Sequence, residues 1–214
     1  MSVNQHLDQA AGLRRLLASH SKQQICFLSE LSSAHSRGFL LNFAWQLINK
    51  GFDVELFDLV EYANKPTGDS ANKVYLIDVK LNPLSHSLIN TLSDSDIVVI
   101  TTADAEAIKS TYLKLKTLHK YLSNQVFKLL VIDTSSEQAS LIQQNLIRTS
   151  RDFLGLNLVS LGWIPNEVDW QHSNQSLDTQ SDTATAKAFS QVLETLLTTP
   201  SSTIHNSVLG SRYV

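Results

Sequence analysis

Six short runs rich in Val, Ile and Leu, separated by polar or helical stretches, are the feature that most constrains this fold. The runs lack strict alternation of apolar and polar side chains, which is typical of strands buried on both faces of a sheet. They are residues 25–28, 54–57, 74–77, 97–100, 126–132 and 156–163, and helical patterns cover residues 38–50, 84–92, 105–122 and 137–153. This order predicts an α/β fold, a three-layer parallel sheet flanked by helices.

Further segments flank this predicted core of residues 21–170. Residues 1–20 form an arm in which residues 7–17 have a helical pattern, with Ala10, Leu13, Leu16 and Leu17 on the apolar side. After the core, the sequence predicts a polar linker over residues 171–183, a helix over residues 184–199 and a flexible tail over residues 200–214.

Composition excludes several classes of function. A formal charge of -3 and a pI near 6.1 give no general attraction to nucleic acid. The single cysteine, Cys26, cannot form a disulfide within the chain, and no apolar run approaches the roughly 18–20 residues that span a bilayer. The seven histidines lack the spacing of a metal site. We therefore expect a cytoplasmic protein with neither a metal nor a nucleic-acid partner.

Residues 29–37, with the sequence SELSSAHSR, lie between an apolar run and a helical pattern. A phosphate-binding loop at this position needs glycines for close backbone approach, usually a lysine, and amides converging at a helix N-terminus. This segment contains neither glycine nor lysine. With the helix predicted to begin near Gly38, Arg37 could still attract an anion, and the alternative is a structural turn.

The pattern resembles the MinD/ParA-type deviant phosphate-loop ATPases, which belong to the SIMIBI group of P-loop proteins. Asn42-Phe-Ala44 matches the helix signature that follows the family's loop, and residues 96–102 and 153–165 resemble the family's later strands. In this register the family's two loop lysines fall on Leu31 and Ser36, and its magnesium-binding threonine falls on Arg37. The strand-end aspartates are matched by Asp58 and Asp78.

The resemblance implies a P-loop scaffold with a degenerate nucleotide site, and hence a pseudo-ATPase that binds no ATP. The family's adenine-reading asparagine falls on Ile132, another loss. Asp58 and Asp78 remain, but an aspartate at a strand end also caps loops and helices, which is the interpretation we favour.

The N-terminal arm carries a second resemblance. Its sequence matches the Asp-Gln-Ala-x-x-Leu-Arg motif of FlhG/FleN-type flagellar number regulators, which are themselves MinD-like. The matching positions are Asp8, Gln9, Ala10, Leu13 and Arg14. In that branch the motif helix binds the signal-recognition-type GTPase FlhF and stimulates its GTP hydrolysis. The alternative is an amphipathic helix that docks on its own domain.

Together these patterns predict a non-catalytic regulator of flagellar biosynthesis or placement, with an FlhF-type GTPase as partner and recruitment to the cell pole. Other flagellar or polar assembly proteins are further candidate partners. One alternative is a divergent ATPase using Arg37 and the two aspartates; another is an adaptor of a pilus or exopolysaccharide machine. Because Lys187 is the only base in the C-terminal helix, stable membrane binding is not expected.

Overall fold

The computed structural model of the chain describes residues 23–29, 31–58, 61–62, 73–80, 86–165 and 183–199. The N-terminal arm, the tail and the predicted linker up to residue 182 lie outside these described residues. The five motif positions of the arm, from Asp8 to Arg14, are therefore not placed by the structure.

Strands and helices alternate through the described part of the chain. The strands are β1 (Gln23–Leu28), β2 (Asp53–Asp58), β3 (Lys73–Val79), β4 (Asp96–Thr101), β5 (Val126–Ile132) and β6 (Asn157–Ile164). The helices are α1 (Ser33–Asn49), α2 (His86–Ser93), α3 (Ala105–His119), α4 (Ser136–Leu154) and α5 (Thr183–Thr198). Each strand and helix predicted between residues 23 and 199 has a counterpart here, whereas the helix predicted over residues 7–17 lies outside the described residues.

The six strands form one parallel sheet in the order β2-β3-β1-β4-β5-β6. Strand β1 lies between β3 and β4, so the chain leaves β1 toward one edge of the sheet and later returns to build the other. Helices cover both faces, which confirms the predicted three-layer α/β architecture. In such sheets, ligand sites lie at the carboxyl ends of the strands where the strand order reverses.

Two apolar cores explain why the central strands are apolar on both faces. One core packs α1 and α5 against the sheet, and the other packs α2, α3 and α4 against the opposite face. In the first, Phe27 contacts Phe39 and Phe43 edge-on, with ring centroids 5.6 and 5.1 Å apart. The ring centroid of Phe189 on α5 lies 5.9 Å from that of Phe39, so aromatic contacts join α5 to α1.

A buried ion pair ties α5 to the centre of the sheet. Lys128, in the middle of β5, has a side chain only 1% exposed, and its Nζ lies 2.8 Å from Oδ1 of Asp96. The same ammonium donates to the backbone oxygens of Leu196 at 3.4 Å and Thr199 at 3.3 Å. The last carbonyls of a helix have no partner within it, so this lysine caps α5 from inside the core.

Among the described helices, none is long and apolar enough to cross a membrane.

Candidate functional site

The candidate site lies at the carboxyl ends of β1, β2 and β3, where the positions aligned with the family's phosphate loop and strand-end aspartates lie. Strand β1 ends at Leu28 and α1 begins at Ser33, so only residues 29–32 connect them. Helix α1 thus begins five residues before the predicted start at Gly38, and that prediction was wrong.

The early helix start has a clear cause in the local sequence. Ser32 is the N-cap residue, and its Oγ accepts a hydrogen bond from the backbone N–H of His35 at 3.4 Å. The N–H of Ser36 already donates to the backbone oxygen of Ser32 at 2.9 Å, as in a regular helical turn. Residues that a phosphate loop would use to wrap an anion are here the first turn of a helix.

Ser36 and Asp78 contact each other across the site. Ser36 is 3% exposed, and its hydroxyl donates to Oδ2 of Asp78 at 3.1 Å. The same carboxylate oxygen lies 3.3 Å from Nζ of Lys80. Ser36, which is aligned with a phosphate-binding lysine, thus contacts the strand-end aspartate Asp78, which in turn contacts Lys80. We call these three residues the Ser36–Asp78–Lys80 cluster.

The other two loop positions point in different directions. Leu31, aligned with the family's first loop lysine, is half-buried and packs against the core beneath α1. Arg37, aligned with the magnesium-binding threonine, is exposed on α1.

Asp58 ends the neighbouring strand and is paired in register with Asp78. Its Oδ1 accepts a hydrogen bond from the backbone N–H of Glu61 at 2.8 Å, and Oε2 of Glu61 accepts one from the N–H of Asp58 at 3.2 Å. This reciprocal pair has the form of a capping box and holds the turn at residues 61–62. The two aspartates therefore make different contacts: Asp58 caps a turn and Asp78 binds Ser36 and Lys80.

The carboxyl end of β5 offers no amide side chain at the predicted base-reading position. Ile132 is fully buried in the core beneath α1 and α5. The next residue, Asp133, has a positive φ of 56° and donates its backbone N–H to the oxygen of Ile164 at 3.0 Å. A non-glycine residue with this backbone conformation is uncommon and is enriched at turns and sites.

Two lysines that the sequence patterns did not identify have side chains at this site. Lys80 follows β3 directly, and Lys114, on α3, donates from Nζ to the backbone oxygen of Ser29 at 3.2 Å. Lys114 is one of several lysines along this helix, so its spacing alone does not single it out. Its role in holding the loop depends on the β1–β4–α3 packing, which no local pattern reveals.

Residues 29–37 lack the residue types with which a phosphate loop holds a nucleoside triphosphate. The segment 29–37 has no glycine that would let the backbone approach an anion and no lysine to neutralise one. Its amides from Ser36 onward are engaged in α1. Asp78, where the family places a strand-end aspartate near the metal and phosphates, instead accepts hydrogen bonds from this chain's own side chains.

No protein-family model and no curated protein sequence matches the chain. Solved structures do. A MinD cell division protein of Aquifex aeolicus matches at 12% identity with a TM-score of 0.53, covering 82% of this chain and 96% of that one. The same organism's MinC:MinD cell division protein complex matches at 12% identity and a TM-score of 0.53, covering 89% and 99%.

A plasmid partition protein of Borrelia burgdorferi B31 bound to AMPPNP matches at 15% identity and a TM-score of 0.54, covering 83% of this chain and 99% of that one. Likenesses at such low identity establish the fold alone. The fold of this chain is that of the MinD/ParA-like P-loop NTPases.

Proposed function

We propose that this chain is a MinD-like regulator that has lost ATP hydrolysis and acts on a GTPase partner of the FlhF type through its N-terminal arm. Asp8, Gln9, Ala10, Leu13 and Arg14 would form the contact with the partner. The process regulated would be the biosynthesis or placement of flagella.

The observation that carries the first half of the proposal is the state of the phosphate-loop positions. Helix α1 begins at Ser33, and Ser36 donates to Asp78 at 3.1 Å, where an ATPase would hold phosphate and magnesium. Binding ATP here would require unwinding the first turn of α1 and breaking the Ser36–Asp78–Lys80 cluster. Neither a glycine-rich loop nor a loop lysine is present to offset that cost.

The chemistry of the arm supports the second half. A glutamine can orient an attacking water, and an arginine can bind phosphate oxygens through two parallel hydrogen bonds. Gln9 and Arg14 provide both groups on one short segment beside apolar anchors such as Leu13. Such an arm could complete the hydrolytic site of another protein, while the core supplies surfaces for protein contacts. One structural neighbour of the core is likewise a protein complex, that of MinC with MinD.

The direct test adds the purified full chain to its cognate FlhF-type GTPase and measures GTP hydrolysis. We expect stimulation, which Gln9→Ala reduces at least about tenfold because a water-positioning group is removed. Deletion of residues 1–20 should abolish it. Gln5→Ala is the matched control, since Gln5 lies on the same arm outside the motif. Unchanged stimulation by Gln9→Ala would refute the proposed role of the arm.

The competing ATPase function is tested by calorimetric titration of the full chain with Mg-ATP. We expect no saturable heat, because the phosphate-loop positions are helical and lack lysine. A saturable isotherm that Arg37→Ala weakens would support a divergent ATPase instead.

The process is tested in cells by deleting the gene and counting flagella. An altered number or position of flagella is expected. Normal flagella would favour the adaptor of a pilus or exopolysaccharide machine.

A further inference from the structure

One flank of α1 carries large apolar side chains that the described fold leaves open to solvent. Trp45 is 43% exposed and Ile48 is 47% exposed, and Leu41 is half-buried. Their spacing of i, i+4 and i+7 places all three on one stripe of the helix. Helix α1 is thus apolar on this flank as well as toward the sheet, a pattern typical of a helix that is covered on both sides.

The stripe lies on the flank of α1 that is turned away from α5. Phe39, on the opposite flank of α1, contacts Phe189, so α5 lies on the other side. On β2, Leu56 is 36% exposed and points to the same sheet face as Val54, which packs against the core beneath α1. We call Leu41, Trp45, Ile48 and Leu56 together the Trp45 surface.

The size of the Trp45 surface suits one short helix. With roughly 150–250 Å² for each large side chain, the exposed fractions leave about 250 Å² of apolar area. A stable complex between two proteins buries about 800 Å² on each partner. The surface is therefore too small to hold a second copy of the chain by itself.

The N-terminal arm is attached close to this surface. Gln23 begins β1 at the amino edge of the sheet, and α1 runs antiparallel to β1, so Asn49 returns to that same edge. Between the predicted helix of residues 7–17 and Gln23 lie residues 18–22, which span up to about 17 Å when extended. The outer side of α1 lies about one helix diameter, 10–12 Å, above the sheet. The tether is long enough for the arm to reach it.

We propose that residues 7–17 dock as a helix on the Trp45 surface, with Leu13, Leu16 and Leu17 covering Trp45 and Ile48. This contact is a resting state of the arm. Leu13 also belongs to the motif that would bind the GTPase, so docking and partner binding exclude each other. That exclusion rests on the proposed function, whereas the docking itself does not.

The first test measures hydrogen exchange by mass spectrometry on the full chain. Trp45→Glu places a charge in the surface and should raise exchange in residues 7–17 at least about tenfold. The matched control is Leu141→Glu, because Leu141 is a 57% exposed leucine on α4, on the opposite face of the sheet. Exchange that is equal in wild type and both variants overturns the proposal.

The second test uses cysteine cross-linking, since the native Cys26 is fully buried and stays out of reach. A short bis-maleimide should join Leu16→Cys to Ile48→Cys within one chain and should leave the pair Leu16→Cys and Leu141→Cys unjoined. Equal cross-linking of both pairs, or products of dimer mass, overturns the proposal. Neither test contains the GTPase. A failure of the docking proposal therefore does not decide whether the chain stimulates the GTPase.

Discussion

Replacing Lys128 should destabilise the protein more than any surface change, because its ammonium is buried. Its Nζ lies 2.8 Å from Oδ1 of Asp96, and the two side chains are 1% and 7% exposed. Lys128→Met keeps the length of the side chain but withdraws the positive charge from a buried carboxylate. It also withdraws the donor from the carbonyls of Leu196 and Thr199, which end α5.

The magnitude follows from the burial of both partners. Removing one member of a buried ion pair costs about 3–5 kcal/mol. For a chain of this size that corresponds to a fall in Tm of roughly 6–20 °C. Urea denaturation followed by circular dichroism measures the loss, and hydrogen exchange should show residues 183–199 opening first.

Two further variants separate the ion pair from a general effect of the substitution. Lys109→Met breaks an exposed pair with Glu106, in which the side chains are 65% and 81% exposed, and should cost less than about 0.5 kcal/mol. The double variant Lys128→Met with Asp96→Leu should regain much of the loss, because apolar residues can replace a buried pair. A Lys128→Met protein within 1 kcal/mol of wild type would refute the reasoning.

Four other outcomes are expected. Burial raises the pKa of the Cys26 thiol from its ordinary 9.0 to about 12, so Ellman's reagent should react only on unfolding, and rapid labelling of the native protein would contradict this. The unfolded thiol ionises first, so Cys26 should lower stability as pH rises from about 9 to about 12, and Cys26→Ala should flatten that loss. Ser36→Ala removes the donor to Asp78 and should lower the free energy of unfolding, measured by urea denaturation, by about 1 kcal/mol; no change would argue against this bond. Asp58→Ala removes the cap on the turn at Glu61 and should lower the free energy of unfolding by about 0.5–2 kcal/mol. Asp58→Asn should retain most of the wild-type stability.

The fold was predictable because each strand contains a short apolar run, and the runs are separated by helical patterns. The run at residues 126–132 became β5 with the predicted bounds. The start of α1 was not predictable from apolar periodicity, because Ser32 sets it by capping and the first turn has no apolar stripe. Local hydrogen bonding by a serine decided this boundary.

Contacts between distant residues were the part that the patterns could not supply. Ser36 meets Asp78 only because β1 and β3 are adjacent and parallel in a given register. Lys128 lies within an apolar run, and its partner Asp96 is identified only by the pairing of β4 with β5. The motifs select candidate positions, whereas the contacts of those positions depend on the sheet order.

The measurement that tests the central claim most directly is GTP hydrolysis by the FlhF-type partner, with the full chain present and ATP absent. The account predicts stimulation without ATP, because in the proposed function the core uses no nucleotide and the arm acts on the partner. It predicts loss of that stimulation in Gln9→Ala and its retention in Gln5→Ala. No stimulation, or stimulation that appears only when Mg-ATP is added, would contradict the account.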